Sequence, residues 1–307
     1  MDVLIAETCT EDNPLIHVDD AAAHEPGPGD IAVSDALEDG TPEHPFDSVQ
    51  EGIDAAQDGD TVLVHDGRYV ETVVLSDKAI TVTGQWLQDT GVRAPSILDA
   101  NGLSPVVRFV GGKGRQCVVA GLTILGGKGP TDAAIVCERA EPVISNCLVC
   151  GNMAMDEDGA VINCIESKPS FVNCTVSGNR AGAYGSVWRL RDSDLSVTNS
   201  IIWVNTGSAW QIVSGSAPRI AYSDLDRDGS GQGMLNSDPC FVEPGHWDDA
   251  GTLDDLADDL WTEGDYHLQS RQGRFEIETG VWRLDDLDSP CIDAGNPLSI
   301  WQNEPSP

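Results

Sequence analysis

Lysine is scarce in this 307-residue chain: Lys78, Lys113, Lys128 and Lys168 are all it has. Basic residues total 17 against 51 acidic ones, a formal charge of −34. A field of that sign repels phosphate backbones, which argues against nucleic-acid binding. It suits solubility at high salt and the company of divalent cations. No apolar run approaches the ~20 residues that cross a bilayer, so membrane insertion is not expected. Residues Met1–Ala6 lack the basic stretch and apolar core of a signal peptide. The expectation is a mature or recombinant portion of an extracellular or cell-surface protein. The six histidines are scattered, and none pairs in sequence with a nucleophile.

What the chain has is a repeat. Pro142–Asn152 (PVISNCLVCGN) returns as Pro169–Asn179 (PSFVNCTVSGN) and again, degraded, as Leu195–Asn205 (LSVTNSIIWVN), at offsets of 27 and 26 residues. A second run keeps step: Ala133–Cys137, Ala160–Cys164 and Ser186–Leu190. Short β-runs punctuated by Gly/Asn turns at this period make each unit one coil of a solenoid. Alternation turns Ile135, Ile162 and Trp188 inward, with Cys137, Cys164 and Leu190. Arg108, Val136, Asn163 and Arg189 form an outward column. Asn152, Asn179 and Asn205 are expected to stack as a ladder at a turn that tolerates left-handed backbone.

Nine cysteines would ordinarily suggest disulfides or zinc. Here Cys147 and Cys174 hold one slot in successive coils, as do Cys137 and Cys164, the pattern of an internal ladder in which the thiol acts as a small hydrophobe. Coils ~4.8 Å apart also lie within disulfide reach, so bonding stays open. Cys147 and Cys150 form a weak CxxC whose members face opposite ways.

Along the chain, residues 1–45 read as an irregular lead-in with one strand near Leu15–Val18. A helix is predicted near 46–58: Ser48 and Glu51 form a capping box, Phe46, Val49, Ile53 and Ala56 recur at helical spacing, and Gly59 stops it. It would cover the open end of the first coil. Coils fill the rest of 46–242. Residues 243–307 form an acidic insertion and C-terminal flank packing on the last coils. Within them Trp247–Trp261 holds six aspartates, with Leu253, Leu256 and Leu260 at rough helical spacing.

Three blocks resemble a known group. Pro45–Val64 with Gly67–Glu71 looks like the entry to secreted right-handed parallel β-helix proteins. The Asn-Cys-x-Val-x-Gly-Asn coils are similar to pectate-lyase-like repeats of large extracellular proteins common in planctomycete-type bacteria. Ser237–Phe241, Gly264–Leu268 and Ser289–Gly295 match the exit of that group. The resemblance covers about residues 45–300. It implies an all-β fold, a single-stranded right-handed parallel β-helix solenoid with an N-terminal capping α-helix, as part of a larger multidomain chain. The wider superfamily holds polysaccharide lyases, glycoside hydrolases, epimerases and non-catalytic adhesins, so fold does not decide function.

Lyases of this fold need a base near a uronate carboxylate and a cation to neutralise it; no such motif carries over residue by residue. Arg189, Arg191, Trp203 and Asn163 form a cation-plus-aromatic set suited to carbohydrate, or else ordinary solvated groove residues. Asp224, Asp226 and Asp228 start like a calcium loop (D-x-D-x-D-G), which Asp238 could close; position twelve is Leu235, which excludes an EF-hand, and a polar turn is the plainer reading. The expected function is a structural, adhesive or carbohydrate-binding module, its partner a polysaccharide or cell-surface glycan. The alternative is a lyase or hydrolase acting on an anionic polysaccharide in the groove. Calcium is the one cofactor suggested.

Overall fold

The computed structural model describes residues 14–20, 37–85, 95–112, 114, 116–226, 229–252, 256, 258–276 and 279–299. Three parallel sheets form the walls of a prism, with eight, seven and six strands. Each coil visits the walls in the same order. Val143–Ser145 lies in the eight-stranded sheet, Leu148–Cys150 in the seven-stranded and Ala160–Ile165 in the six-stranded. The next coil repeats this with Ser170–Val172, Thr175–Ser177 and Ser186–Ser193. The chain is the right-handed parallel β-helix that the resemblance implies.

Register follows the repeat residue by residue. Ile144 lies opposite Phe171, Val149 opposite Val176, and Cys137 opposite Cys164. Ile135, Ile162 and Trp188 stack inward at 0% exposure, as do Cys137, Cys164 and Leu190. Burial of each such Ile or Leu contributes about 1.5–3 kcal/mol, which stacks coil on coil. The described cysteines are all free thiols. Cys147 and Cys174 donate S–H to carbonyls of Ser145 (3.2 Å) and Ile144 (3.4 Å), and burial pushes the Cys147 thiol up to about 12.

The asparagine ladder is present and buried. Asn179 Oδ1 accepts from the amide N (3.1 Å) and side chain (2.9 Å) of Asn152, and Asn179 Nδ2 donates to Asn205 Oδ1 at 3.0 Å. The left-handed backbone lies elsewhere than expected: at Asn146, Asn173 and Asn199, with φ of 52°, 54° and 52°, and at Gly151 and Gly178. Ladder side chains turn inward from ordinary backbone, and the other asparagines make the sharp corner.

The helix spans Val49–Ala55, shorter than predicted at both ends. Ser48 Oγ accepts from the Glu51 amide (3.2 Å) as the capping box requires. Glu71 closes the N-terminus by accepting from Val49 N (2.7 Å) and Gln50 N (3.0 Å). At the other end the Lys78 ammonium takes the carbonyls of Ile53, Asp54 and Ala56 at 2.6–2.9 Å. That tertiary contact ends the helix before Gly59 is reached. Val49, Ile53 and Ala56 are buried over the first coil, where Leu15–Val18 pairs with Thr61–Val64.

The acidic flank differs from the helical reading. His246–Asp248 and Leu260–Thr262 form an antiparallel hairpin with Trp247 opposite Trp261; Leu253 lies outside the described residues. The hairpin lies on the seven-stranded wall, well back from the last coil. Trp247 Nε1 donates to Gly178 O at 2.8 Å, and Arg68 pairs with Glu263. A Cβ on Gly151 or Gly178 would come within 2.5 or 2.3 Å of the Trp261 ring, so the bare backbone is what lets the indole seat. Farther on, residues 291–299 do reach the last coils: Asn296 N donates to Asn199 Oδ1 (2.8 Å), and Cys291 Sγ to Asp224 Oδ2 (3.1 Å).

Candidate functional site

The outer face of the six-stranded wall carries one column across all its strands: Val74, Arg108, Val136, Asn163, Arg189 and Gln211. Beside it run Glu138, Ile165 and Arg191. Arg108 Nη1 is held by Glu138 Oε1 at 2.7 Å, and Asn163 Nδ2 donates to Asp132 Oδ1 at 2.8 Å. Arg189 and Arg191 are different. Neither has an ion-pair partner among the described residues, and Arg189 Nε is buried with no acceptor. Gln211 Oε1, the next rung along, is buried with no donor.

Two guanidinium groups without counterions stand on this row between two carboxamides, Arg191 exposed and Arg189 half-buried. Chemically the row suits carboxylate, sulfate or hydroxyl groups on an extended ligand. On this face the carboxylates of Asp132 and Glu138 are engaged by Asn163 and Arg108, and the exposed Asp192 follows Arg191 on the same strand. Asn163 and Arg189 are cross-strand neighbours, and Arg191 follows on the same strand beyond a register shift. Trp203 is not with them. It lies on the seven-stranded wall, opposite Ser177. Eleven residues of chain lie between it and Arg191, and they include Ser196–Thr198 of the eight-stranded wall.

No family model matches the chain, and no curated protein matches it. Among solved structures, the crystal structure of the pectin methylesterase from Aspergillus niger is similar, with a TM-score of 0.36 and 13% identity, over 63% of this chain and 81% of that one. A likeness this distant adds nothing to what the strand pairing shows.

The aspartates considered for calcium are placed apart in role. Asp224 is 2% exposed, its oxygens taken by Ser237 N (3.1 Å) and the Cys291 thiol. Asp226 Oδ2 accepts from Val204 N (3.0 Å), and Asp238 Oδ1 from Cys240 N (2.8 Å). Asp228 lies outside the described residues. Among the described residues, the carboxylates that do converge are Glu38, Asp47 and Glu51, with ligand atoms within 4.8 Å. Burial and the neighbouring Asp47 hold the Glu51 carboxyl above its ordinary range.

Two further clusters escaped sequence reasoning. His17 Nδ1 faces His65 Nε2 at 3.0 Å, and His65 Nδ1 lies 3.5 Å from Asp19 Oδ2. Burial, then the His65 charge, lowers His17 below 6.5, with Glu43 and Asp19 opposing. The second is a cavity of about 480 Å³ between hairpin and coils, where Arg180 pairs with Asp259 and stacks 5.0 Å over Trp247. Arg180 directly follows ladder residue Asn179, a position that could have flagged it.

Proposed function

We propose that the chain is a carbohydrate-binding β-helix module, structural or adhesive in role, which holds an anionic glycan on the outer face of its six-stranded wall. The observation that carries this is the Arg189/Arg191 pair. In a chain of charge −34, two adjacent guanidinium groups without carboxylate partners favour a ligand that brings its own anions. Binding rather than turnover is favoured because the carboxylates nearest the Arg108–Arg189 column, Asp132 and Glu138, are already engaged. An extracellular or cell-surface setting, within a larger chain, belongs to the same proposal and rests on the resemblance of residues 45–300.

The overall field opposes a polyanion at long range. Screening falls to about 8 Å at physiological ionic strength, so contacts to the two arginines act inside it. Affinity should therefore rise from low salt to physiological salt before falling. The test is titration calorimetry against polygalacturonate, alginate and chondroitin sulfate, with dextran as the neutral control. Arg189→Ala/Arg191→Ala should weaken binding at least about tenfold with an unchanged melting temperature. Equal binding by the double variant, or binding to dextran alone, overturns the proposal. Absorbance from unsaturated uronates in the same mixtures would instead establish a lyase.

A further inference from the structure

The two ends of the solenoid are finished differently. The helix Val49–Ala55 covers the first coil. At the far end, residues 231–235 cover two of the three walls. Tyr222 N donates to Gln232 O (2.7 Å), Leu235 N to Ser223 O (2.9 Å), Asp224 bridges Leu235, and Met234 packs on the core. Among the described residues, the six-stranded wall has no such cover. Its terminal strand, Ser208–Gly215, pairs with Ser186–Ser193 on one side, and no described segment pairs on the other.

That strand also leaves core open. Trp210 continues the slot of Trp188, and Ile212 that of Leu190. The inner pair is fully buried, whereas Ile212 is 42% exposed. The sequence SAWQIVSG holds no charge and no proline, in a chain with 51 acidic residues. Natural sheet edges are normally protected by charges, prolines, bulges or a covering segment. An eight-residue, uncharged, apolar edge, regular from Ser208 to Ile212 with its two register shifts confined to the C-terminal end, is the profile of a strand that is covered in use.

We infer that a second copy of this chain covers it, the two Ser208–Gly215 strands pairing antiparallel about a two-fold axis. A row of unpaired backbone N–H and C=O groups is a ready template for another strand. The opposite end of a second copy is closed by its helix, which blocks head-to-tail stacking. The matching free edge is the same strand, and a two-fold contact is self-complementary by construction. Side-chain alternation restricts the register, because opposed residues must share a face. Centring on Gln211 satisfies this. It sets Trp210 opposite Ile212 of the second copy, a favourable aromatic and β-branched pair, and brings Gln211, whose Oε1 lacks a donor, beside its own copy. The axis is normal to the sheet, so both outer faces look the same way. Two Arg189/Arg191 sets then share one continuous surface, a consequence for binding that rests on the glycan reading, although the pairing itself does not.

Each copy carries −34, so repulsion opposes association and salt should strengthen it, the reverse of an ionic interface. Light scattering on the full chain, from physiological to molar NaCl, should show a dimer whose population grows with salt. Ile212→Lys should give a monomer with unchanged circular dichroism. Should that variant misfold, Gln211→Cys decides: diamide should link it into a covalent dimer as it oxidises the two thiols, whereas Val74→Cys at the far edge should not link. A monomer at every salt concentration overturns the inference and leaves the edge to another strand. So does a dimer that Ile212→Lys leaves intact, or absence of the Gln211→Cys cross-link. Glycan affinity of the monomeric variant separates failure of this pairing from failure of the binding site.

Discussion

Replacing Asn179 by alanine should be among the most costly single changes in the chain. Its Oδ1 accepts from Asn152 N and Nδ2, and its Nδ2 donates to Val149 O (2.8 Å), Ser177 O (3.2 Å) and Asn205 Oδ1 (3.0 Å). Truncation leaves the Asn152 amide orphaned at 0% exposure. An orphaned buried donor costs about 1–3 kcal/mol, and each further lost bond about 0.5–1.5 kcal/mol net. Some of the freed carbonyls keep other partners, so the sum is roughly 3–5 kcal/mol. Asn163→Ala loses one half-exposed bond to Asp132 and should cost less than about 1 kcal/mol. Asn179→Asp keeps the shape but points an acceptor at three acceptors, and should be no better than alanine. Urea unfolding followed by tryptophan fluorescence reads the difference, with hydrogen exchange at residues 149–152 and 176–179 showing whether loss is local. If Asn179→Ala costs no more than Asn163→Ala, the ladder does not hold the coils together and the reasoning fails.

Two further outcomes follow from the charges. His17 has a folded value below 6.5, so beneath about 6.5 the unfolded chain binds more protons and stability falls as pH drops. The decline in melting temperature from pH 7.5 to about 5.5 should be smaller in His17→Gln; an equal decline refutes a role for the His17–His65 pair. Raised carboxyls such as Glu71 and Asp20 act in the opposite sense, from their unfolded pKa upward. Molar NaCl should raise the melting temperature by screening carboxylate repulsion. Millimolar Ca²⁺ at constant ionic strength then tests Asp224, Asp226 and Asp238: a gain blunted by Asp226→Asn supports a discrete site, and a gain that Mg²⁺ reproduces leaves none there.

The coils were legible because a slot in one coil packs against the same slot in the next. The neighbour therefore constrains residue type, and Cys137 over Cys164 or Ile144 beside Phe171 can be read as register. Corners were less legible. Asn146 and Asn152 both recur in the repeat, and which one bends left-handed depends on how the chain crosses between walls. The same geometry hid Trp203 from Arg191. The helix ends where Lys78, a residue of the first coil, reaches its carbonyls. The hairpin was invisible for a similar reason: leucines at helical spacing compete with a Trp247–Trp261 pairing and two distant glycines, neither of which leaves a local pattern.

Assignment of a ligand to the six-stranded wall rests on what the other two walls offer. The seven-stranded wall is roofed by the flank, with Trp261 over Gly151 and Gly178 and Glu263 on Arg68. That is why outward residues such as Cys150 and Ser177 are buried. On the eight-stranded wall one outer column ends at Arg219 and otherwise runs through Thr81, Val118, Val143, Ser170 and Ser196; in the other, Thr83, Ala120 and Ser145 are buried and Val172 and Thr198 follow them. Arg219 apart, these short neutral side chains grip little. Among the described residues, the six-stranded wall is the one with two neighbouring guanidinium groups that lack ion-pair partners, Arg219 standing alone at the edge of the eight-stranded wall, and its own last strand carries no charge. A charge of −34 placed anywhere on that strand's face would defeat both an anionic ligand and a second copy. Its distribution, dense on the flank and sparse along 186–215, is therefore the feature that binding and assembly would each require.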